Sequence, residues 1–347
     1  CVVVMLIAAP ALAEDASVEK YGQEFEGKIA KSYQDSEEWW PSSPKPPPGT
    51  PNVIIFLLDD TGFAHLGSFG GLVETPNIDR LAENGLRYNN FHTTALCSPS
   101  RATIMAGRNH HRIGLGSHSL TALGFPGYNA FPPESGKSVA KHLQKAGFVN
   151  YALGKWDHTP LYEVSESGPF DRWPSGEGFD HYYGFMAADA DNYRSLVWRD
   201  HYPTEDWEDK PGYHYSEAMA DEAIRNITSH TSVSPDRPFM MFWAPVAMHS
   251  PHQAPPEYIG RYKGKFDMGW DEARKRNHAK QRELGVIPPG TKLPERTADL
   301  PAWESLKPEE QKLYARQMEV FAAMLTHVDE QIGRILATLE RTGQLDN

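Results

Sequence analysis

Pro51-Asn52-Val53-Ile54-Ile55-Phe56-Leu57-Leu58-Asp59-Asp60-Thr61-Gly62 is an unbroken apolar run that halts at two adjacent carboxylates. Such a run predicts a central strand of a parallel sheet, buried on both faces. In open α/β sheets ligands gather beyond the carboxyl ends of the strands, which is where Asp59 and Asp60 fall. Two neighbouring carboxylates in a water-poor crevice repel one another unless a cation holds them. A hard divalent ion such as Ca²⁺ or Mg²⁺ does so through oxygen ligands. A solvated Asp-Asp turn is the alternative.

Outward from this strand, Thr75-Pro76 and Gly85 bracket a predicted helix over Thr75 to Asn84. Leu86 to Thr94 reads as a second strand, which delivers the chain to Leu96-Cys97-Ser98-Pro99-Ser100-Arg101. Asp59, Asp60 and Cys97 are therefore expected at consecutive strand ends. The chain has 2 cysteines, and Cys1 lies in a segment expected to be removed, so Cys97 has no intramolecular disulfide partner. Pro99 suits the first turn of a helix and Ala102 to Ala106 continues it, which places Cys97 at a helix N-terminus. Free backbone N–H groups and the positive end of the helix dipole favour an anion there. Arg101, one turn on, adds a planar cationic fork for an oxyanion. The alternative is a thiol packed as a small hydrophobe.

Asp59-Asp60, Thr75-Pro76-Asn77-Ile78-Asp79 and Cys97-Ser98-Pro99-Ser100-Arg101 followed by Gly107-Arg108 together resemble the type I sulfatases, from about Asn52 onward. The resemblance implies an α/β fold of the alkaline-phosphatase-like kind, a large mostly parallel sheet sandwiched by helices. It implies that a formylglycine-generating enzyme oxidises Cys97 to formylglycine, whose hydrated aldehyde attacks a small-molecule sulfate ester. Asp59, Asp60 and modified Cys97 would then ligate the cation, Ca²⁺ or Mg²⁺, with Arg101 stabilising charge beside the nucleophile. Gly154-Lys155-Trp156-Asp157-His158 resembles the family segment Gly-Lys-Trp-His. Lys155 carries over as a sulfate ligand. Asp157 stands at the histidine position and His158 is displaced by one; His158 is taken as the substrate donor, with Asp157 as the rival, since a one-residue shift turns a side chain to the opposite face. His249, in Met248-His249-Ser250-Pro251-His252, is by resemblance the histidine that hydrogen-bonds the sulfate or bridging oxygen, with general-acid potential; His252 is the weaker match. The family's further strand ending in an Asp-Asn pair, its second active-site lysine and a small C-terminal domain do not follow in this sequence. Asp346-Asn347 precedes that strand. The expectation is an incomplete catalytic domain over 51–347, inactive by itself.

The remaining chain fits one large α/β domain. Val2 to Ala13 is an apolar run ending in Ala11-Leu12-Ala13, which reads as a signal-peptide remnant over 1–13 and predicts a periplasmic or secreted protein. Residues 14–50 form a polar arm that ends proline-rich and is expected to lie over the domain surface. A net charge of −12 argues against nucleic acid and anionic membrane partners. Helices are predicted over Ser138 to Gly147, Tyr215 to Ser229 and Pro308 to Thr342, with strands over Phe148 to Gly154 and Arg237 to Ala244. The aromatic, glycine-rich stretch Pro169 to Phe185 reads as a loop lining the pocket mouth, and 253–304 as an excursion outside the core. A phosphonate or phosphate ester hydrolase on the same scaffold, and a non-catalytic anion-binding relative, are the competing functions.

Overall fold

The protein is described by a computed structural model covering residues 25–41 and 44–347; the signal segment expected over 1–13 lies outside the described residues. The chain divides into two compact units at Lys45/Pro46. In the first, a backbone bridge pairs Lys28 with Glu37 around a short 3-10 turn, Tyr33–Asp35.

The second unit is built on one sheet. Its strands are β1 (Val53–Phe56), β2 (Val149–Lys155), β3 (His181–Phe185), β4 (Val197–Arg199), β5 (Tyr202–Thr204) and β6 (Phe239–Ala244), in the order β1-β6-β2-β3-β4-β5. The first four in that order run parallel, and β4 and β5 are antiparallel additions. β6 shows why both faces must be covered. Phe239, Met241 and Trp243 enter one apolar cluster, while Met240, Phe242 and Ala244 enter the other. The period of two divides six buried residues between two cores. Helices α4 (Tyr215–Val233) and α7 (Pro308–Arg341) supply Met219, Ile227, Leu325, Val328 and Ile332 to the first core. On the opposite face, α2 (Cys97–Ala106) and α3 (Val139–Lys145) contribute Met105 and Ala140. Pro308 begins α7 and the Lys307 N–H donates to Glu310 Oε2 at 2.9 Å, which satisfies an orphan donor at its start.

Four expectations need correction. β1 is not central: among the described residues it pairs only with β6, so its run is half-buried and Val53 is exposed. Leu86 to Thr94 forms no strand. It finds no pairing edge, Leu86, Tyr88 and Phe91 stay exposed, and Thr94 turns its bonds inward to Ser100 and Leu96. Pro169 to Phe185 is not a loop throughout, because β3 occupies its end and Trp173 and Phe179 are buried in the second core. The segment 253–304 is anchored rather than excursive. It carries α5 (Pro256–Arg261) and α6 (Gly269–Glu283), and buried Tyr262 shares a 2.6 Å hydroxyl bond with Thr326 of α7. The charged surface of α6 hides how few aromatic anchors such a segment needs. The helix α1 (Pro76–Glu83) completes the set.

Candidate active site

The carboxyl ends of β1, β2 and β6 assemble a buried charged cluster. Beyond the end of β1 the ladder to the β6 side continues: Asp59 N–H donates to Ala247 O at 3.0 Å and Met248 N–H to Asp59 O at 2.6 Å. Asp59 is thereby pinned beside the loop that carries His249. Its Oδ1 lies 3.2 Å from Arg101 Nη2 and its Oδ2 accepts a 2.7 Å bond from Lys155 Nζ. Arg101 also donates through Nη1 to Lys155 O at 3.1 Å, tying α2 to the end of β2. Asp59, Arg101 and Lys155 are all buried, with Lys155 at 0% exposure. Buried charges persist only in such pairs.

The end of β2 explains which side chains reach the cluster. Gly154 has φ +102°, and a Cβ there would sit 2.0 Å from Ala244 O, so the strand passes its neighbour only with glycine before Lys155. Beyond it side chains alternate. Lys155 and Asp157 share the cluster side, with Nζ 3.7 Å from Asp157 Oδ2, whereas Trp156 and His158 face the opposite side, their rings 4.6 Å apart. The structure thus puts Asp157 with Lys155 and directs His158 into the apolar layer beneath α2. Burial there, with the Arg101 charge nearby, pushes the His158 imidazole down to about 3. Asp157 has φ 57°, a left-handed conformation that aspartate tolerates better than most residues.

Cys97 is the first residue of α2, after the extended Leu96, and α2 ends at Gly107 with φ 60°. It reaches the site from a helix start preceded by irregular chain, rather than from a strand end. Its Sγ lies 3.6 Å from His118 Nδ1, and the thiol, His118 and Asp157 offer atoms all within 4.8 Å of one another. Burial first, then the Asp157 charge, pushes the Cys97 thiol up; Lys155 opposes this. An unmodified thiol here is therefore a poor nucleophile, since the thiolate is the reactive form. Asp60 is exposed, φ 49°, with Oδ2 at 4.0 Å from His249 Nε2. His249 Nδ1–H donates to Ser250 O at 2.7 Å, leaving Nε2 toward Asp60. His252 is turned to Met248 O at 3.1 Å and joins none of these contacts.

The cluster has two residues that the sequence did not single out. His118 lies in a glycine-rich loop with no spacing signal, and Ser119 donates through Oγ to Asp157 Oδ1 at 3.2 Å. Only folding brings them to residue 97.

A sulfatase family profile matches residues 51–347. The chain belongs to the sulfatase family. An arylsulfatase of Klebsiella aerogenes is 32% identical over 310 residues, covering 86% of this chain and 64% of the relative. An uncharacterized sulfatase of Schizosaccharomyces pombe, PB10D8.02c, is 31% identical over 320 residues, covering 86% and 56%. Among solved structures, BT4656 in complex with its substrate D-glucosamine-2-N,6-O-disulfate superposes with a TM-score of 0.58 at 23% identity, covering 85% of this chain and 63% of that one. That last likeness concerns the fold, and its strand-and-helix arrangement is the α/β architecture expected from the motifs. This sulfatase chain spans less than two-thirds of the length of these relatives.

Proposed function

We propose that this sulfatase hydrolyses sulfate esters of aryl or related alkyl alcohols, with residue 97 as its formylglycine form. The observation that carries the reading is Cys97 at the first position of α2, with buried Arg101 one turn on and buried Lys155 against Asp59. When formed, the hydrated aldehyde supplies two hydroxyls on one carbon, one to attack sulfur and one through which the aldehyde re-forms. The chain's residues provide the surroundings. Arg101 and Lys155, together with the N–H groups of the α2 start, would bind the sulfate oxygens and hold the sulfur in line with residue 97. His249 on the Asp60 side, in its imidazolium form with Nδ1–H held by Ser250 O, would donate the Nε2 proton to the departing alcohol oxygen.

The donor chemistry of the strand end fits a hard divalent cation. Asp59 and Asp60 offer carboxylate oxygens only, and in this structure Lys155 Nζ balances Asp59 where a cation would compete for it. These two residues and residue 97 would hold Ca²⁺ or Mg²⁺, whose chemistry is Lewis-acid polarisation of oxygen. The Cys97, His118 and Asp157 set includes sulfur and nitrogen donors and is a poorer match for such an ion.

The test is mass spectrometry of the peptide containing Cys97 after coexpression with a formylglycine-generating enzyme, followed by turnover of an aryl sulfate and the matching aryl phosphate. Conversion to the aldehyde with a rate preference for the sulfate is expected. An intact thiol alongside full sulfate turnover overturns the role of residue 97. A preference for the phosphate overturns the substrate class.

A further inference from the structure

Re-forming the aldehyde of residue 97 needs a group that takes the proton from its second hydroxyl, and the reading above leaves that group unassigned. Arg101 and Lys155 are donors only, and His249 lies across the strand end beside Asp60. His158 is buried against Trp156 on the far side of β2. Two acceptors face residue 97. Asp157 Oδ1 takes a hydrogen bond from Ser119 Oγ at 3.2 Å, and its Oδ2, without a hydrogen-bond partner, lies 3.7 Å from Lys155 Nζ as that ammonium's counter-charge; a carboxylate is also an intrinsically weaker base than an imidazole. His118 has no carboxylate within ion-pairing distance among the described residues, and its Nδ1 lies 3.6 Å from the Cys97 side-chain atom. The ring is also oriented. Ser98 Oγ accepts Ser119 N–H at 3.3 Å and lies 3.3 Å from His118 Nδ1, so its own hydrogen is free to point at that nitrogen. In the tautomer with the ring proton on Nε2, Nδ1 is the acceptor and the Ser98 hydroxyl can donate to it.

We infer that His118 is a catalytic residue of this sulfatase, the acceptor at Nδ1 for the second hydroxyl proton of residue 97, with Ser98 positioning its ring. The inference rests on the sulfate-ester reading. The step balances without an oxidant. The O–H proton moves to Nδ1, its bonding pair becomes the new carbonyl bond, and the carbon–oxygen bond to sulfate breaks with its pair leaving on sulfate. Asp157, within 4.8 Å, places a negative charge beside the ring as it becomes positive. The imidazole thus comes from the loop after α2, while the strand position two residues beyond Lys155 carries a carboxylate.

The experiment compares the unsubstituted protein, modified at residue 97, with His118→Ala and the size-matched His118→Asn on an aryl sulfate. Conversion of residue 97 is checked by mass in each. Each variant is expected to release one equivalent of phenol per modified site at the original rate and then stall. Steady turnover should fall about 10²–10⁴-fold with KM little changed. The stalled protein should carry the mass of one retained sulfate, and added imidazole should restore turnover to His118→Ala. Slowed variants with no retained sulfate, or unchanged turnover, overturn the assignment, as does sulfate retention in Asp157→Asn but not in the His118 variants. Failure of the unsubstituted, converted protein to cleave the ester overturns the sulfate-ester reading itself, and this inference with it.

Discussion

Asp59 and Asp329 are both buried carboxylates in the same structural unit, yet their partners differ in kind. Asp329, on α7, accepts the backbone N–H groups of Asn77 at 3.1 Å and Ile78 at 2.8 Å, and the Asn77 side-chain amide at 2.8 Å. Those N–H groups belong to the first turn of α1, which has no side-chain cap of its own. Asp329 therefore caps one helix from another, and its lone pairs are committed to backbone that does not move. Asp59 meets side-chain cations, and Asp157, across Lys155 from it, keeps an oxygen with no hydrogen-bond partner. Side-chain cations can turn to a ligand; the α1 N–H groups are fixed in the backbone and already bonded to Asp329. The strand-end cluster is built to change partners, and the seam between α1, α4 and α7 is built to keep them.

The largest effect separates the two regions completely. Cys97→Ala should lower turnover by about 10⁴-fold or more, as loss of a covalent nucleophile does. Thermal unfolding should stay close to that of the unsubstituted protein, because the half-buried thiol makes little of the core. A large fall in melting temperature would show that Cys97 belongs with the structural region instead. Next comes Asp59→Asn, which leaves Arg101 and Lys155 buried without their shared counter-charge. Breaking such a pair costs about 3–5 kcal/mol, readable by urea unfolding. A cost near zero would mean that the cations relax to other partners, and the cluster is looser than its distances indicate.

The fold class was legible in the sequence, and so were the local elements that carry the candidate site residues; the pairing of those elements was not. The apolar run to Asp59, the helix start at Cys97 and Lys155 were legible because each is a local pattern: a run, a proline turn, a motif. Local patterns also placed α4, β6 and α7 within a few residues. What they could not show is pairing. Leu86 to Thr94 has strand-like residues but no edge to pair with, and β1 has a core-like composition but one described neighbour. The side of the strand on which Asp157 and His158 fall depended on backbone geometry past Gly154, which composition does not reveal. His118 was illegible for the same reason. It sits 21 residues after Cys97, and only the return of its loop over α2 brings them together.

A third contrast is in response to acid. In the seam, His214 and His327 pack with ring centroids 4.4 Å apart, and burial pushes them down to about 3 and about 4. His214 is neutral at Nδ1, where it accepts Ser216 N–H at the start of α4. For each, the unfolded chain takes up a proton that the folded state refuses. Stability is therefore fully present above about 6.5 and falls as pH drops toward about 4. The slope is at most about 1.4 kcal/mol per pH unit for each histidine. His327→Gln should flatten this acid limb in urea titrations. An unchanged limb would move the acid-sensitive group out of the seam.

The smallest expected effect tests the cap itself. Asp329→Asn keeps the shape but replaces one acceptor oxygen by an NH₂ that faces the α1 donors. The loss should be about 1–3 kcal/mol, less than at Asp59, because no buried cation is stranded. The sign with pH is distinctive. Burial pushes the Asp329 carboxyl up from 3.8, against the hydrogen bonds that pull it down. A raised carboxyl means that the folded state holds its proton more tightly than the unfolded chain. The Asp329 contribution then declines as pH rises through the window just above 3.8 and levels off beyond it. The gap in unfolding free energy between the unsubstituted protein and Asp329→Asn should accordingly narrow as pH rises through that window, opposite to the histidine limb. If the gap widens instead, the backbone donors outweigh burial at Asp329. The distinction between exchangeable and committed carboxylates would then rest on partner type alone.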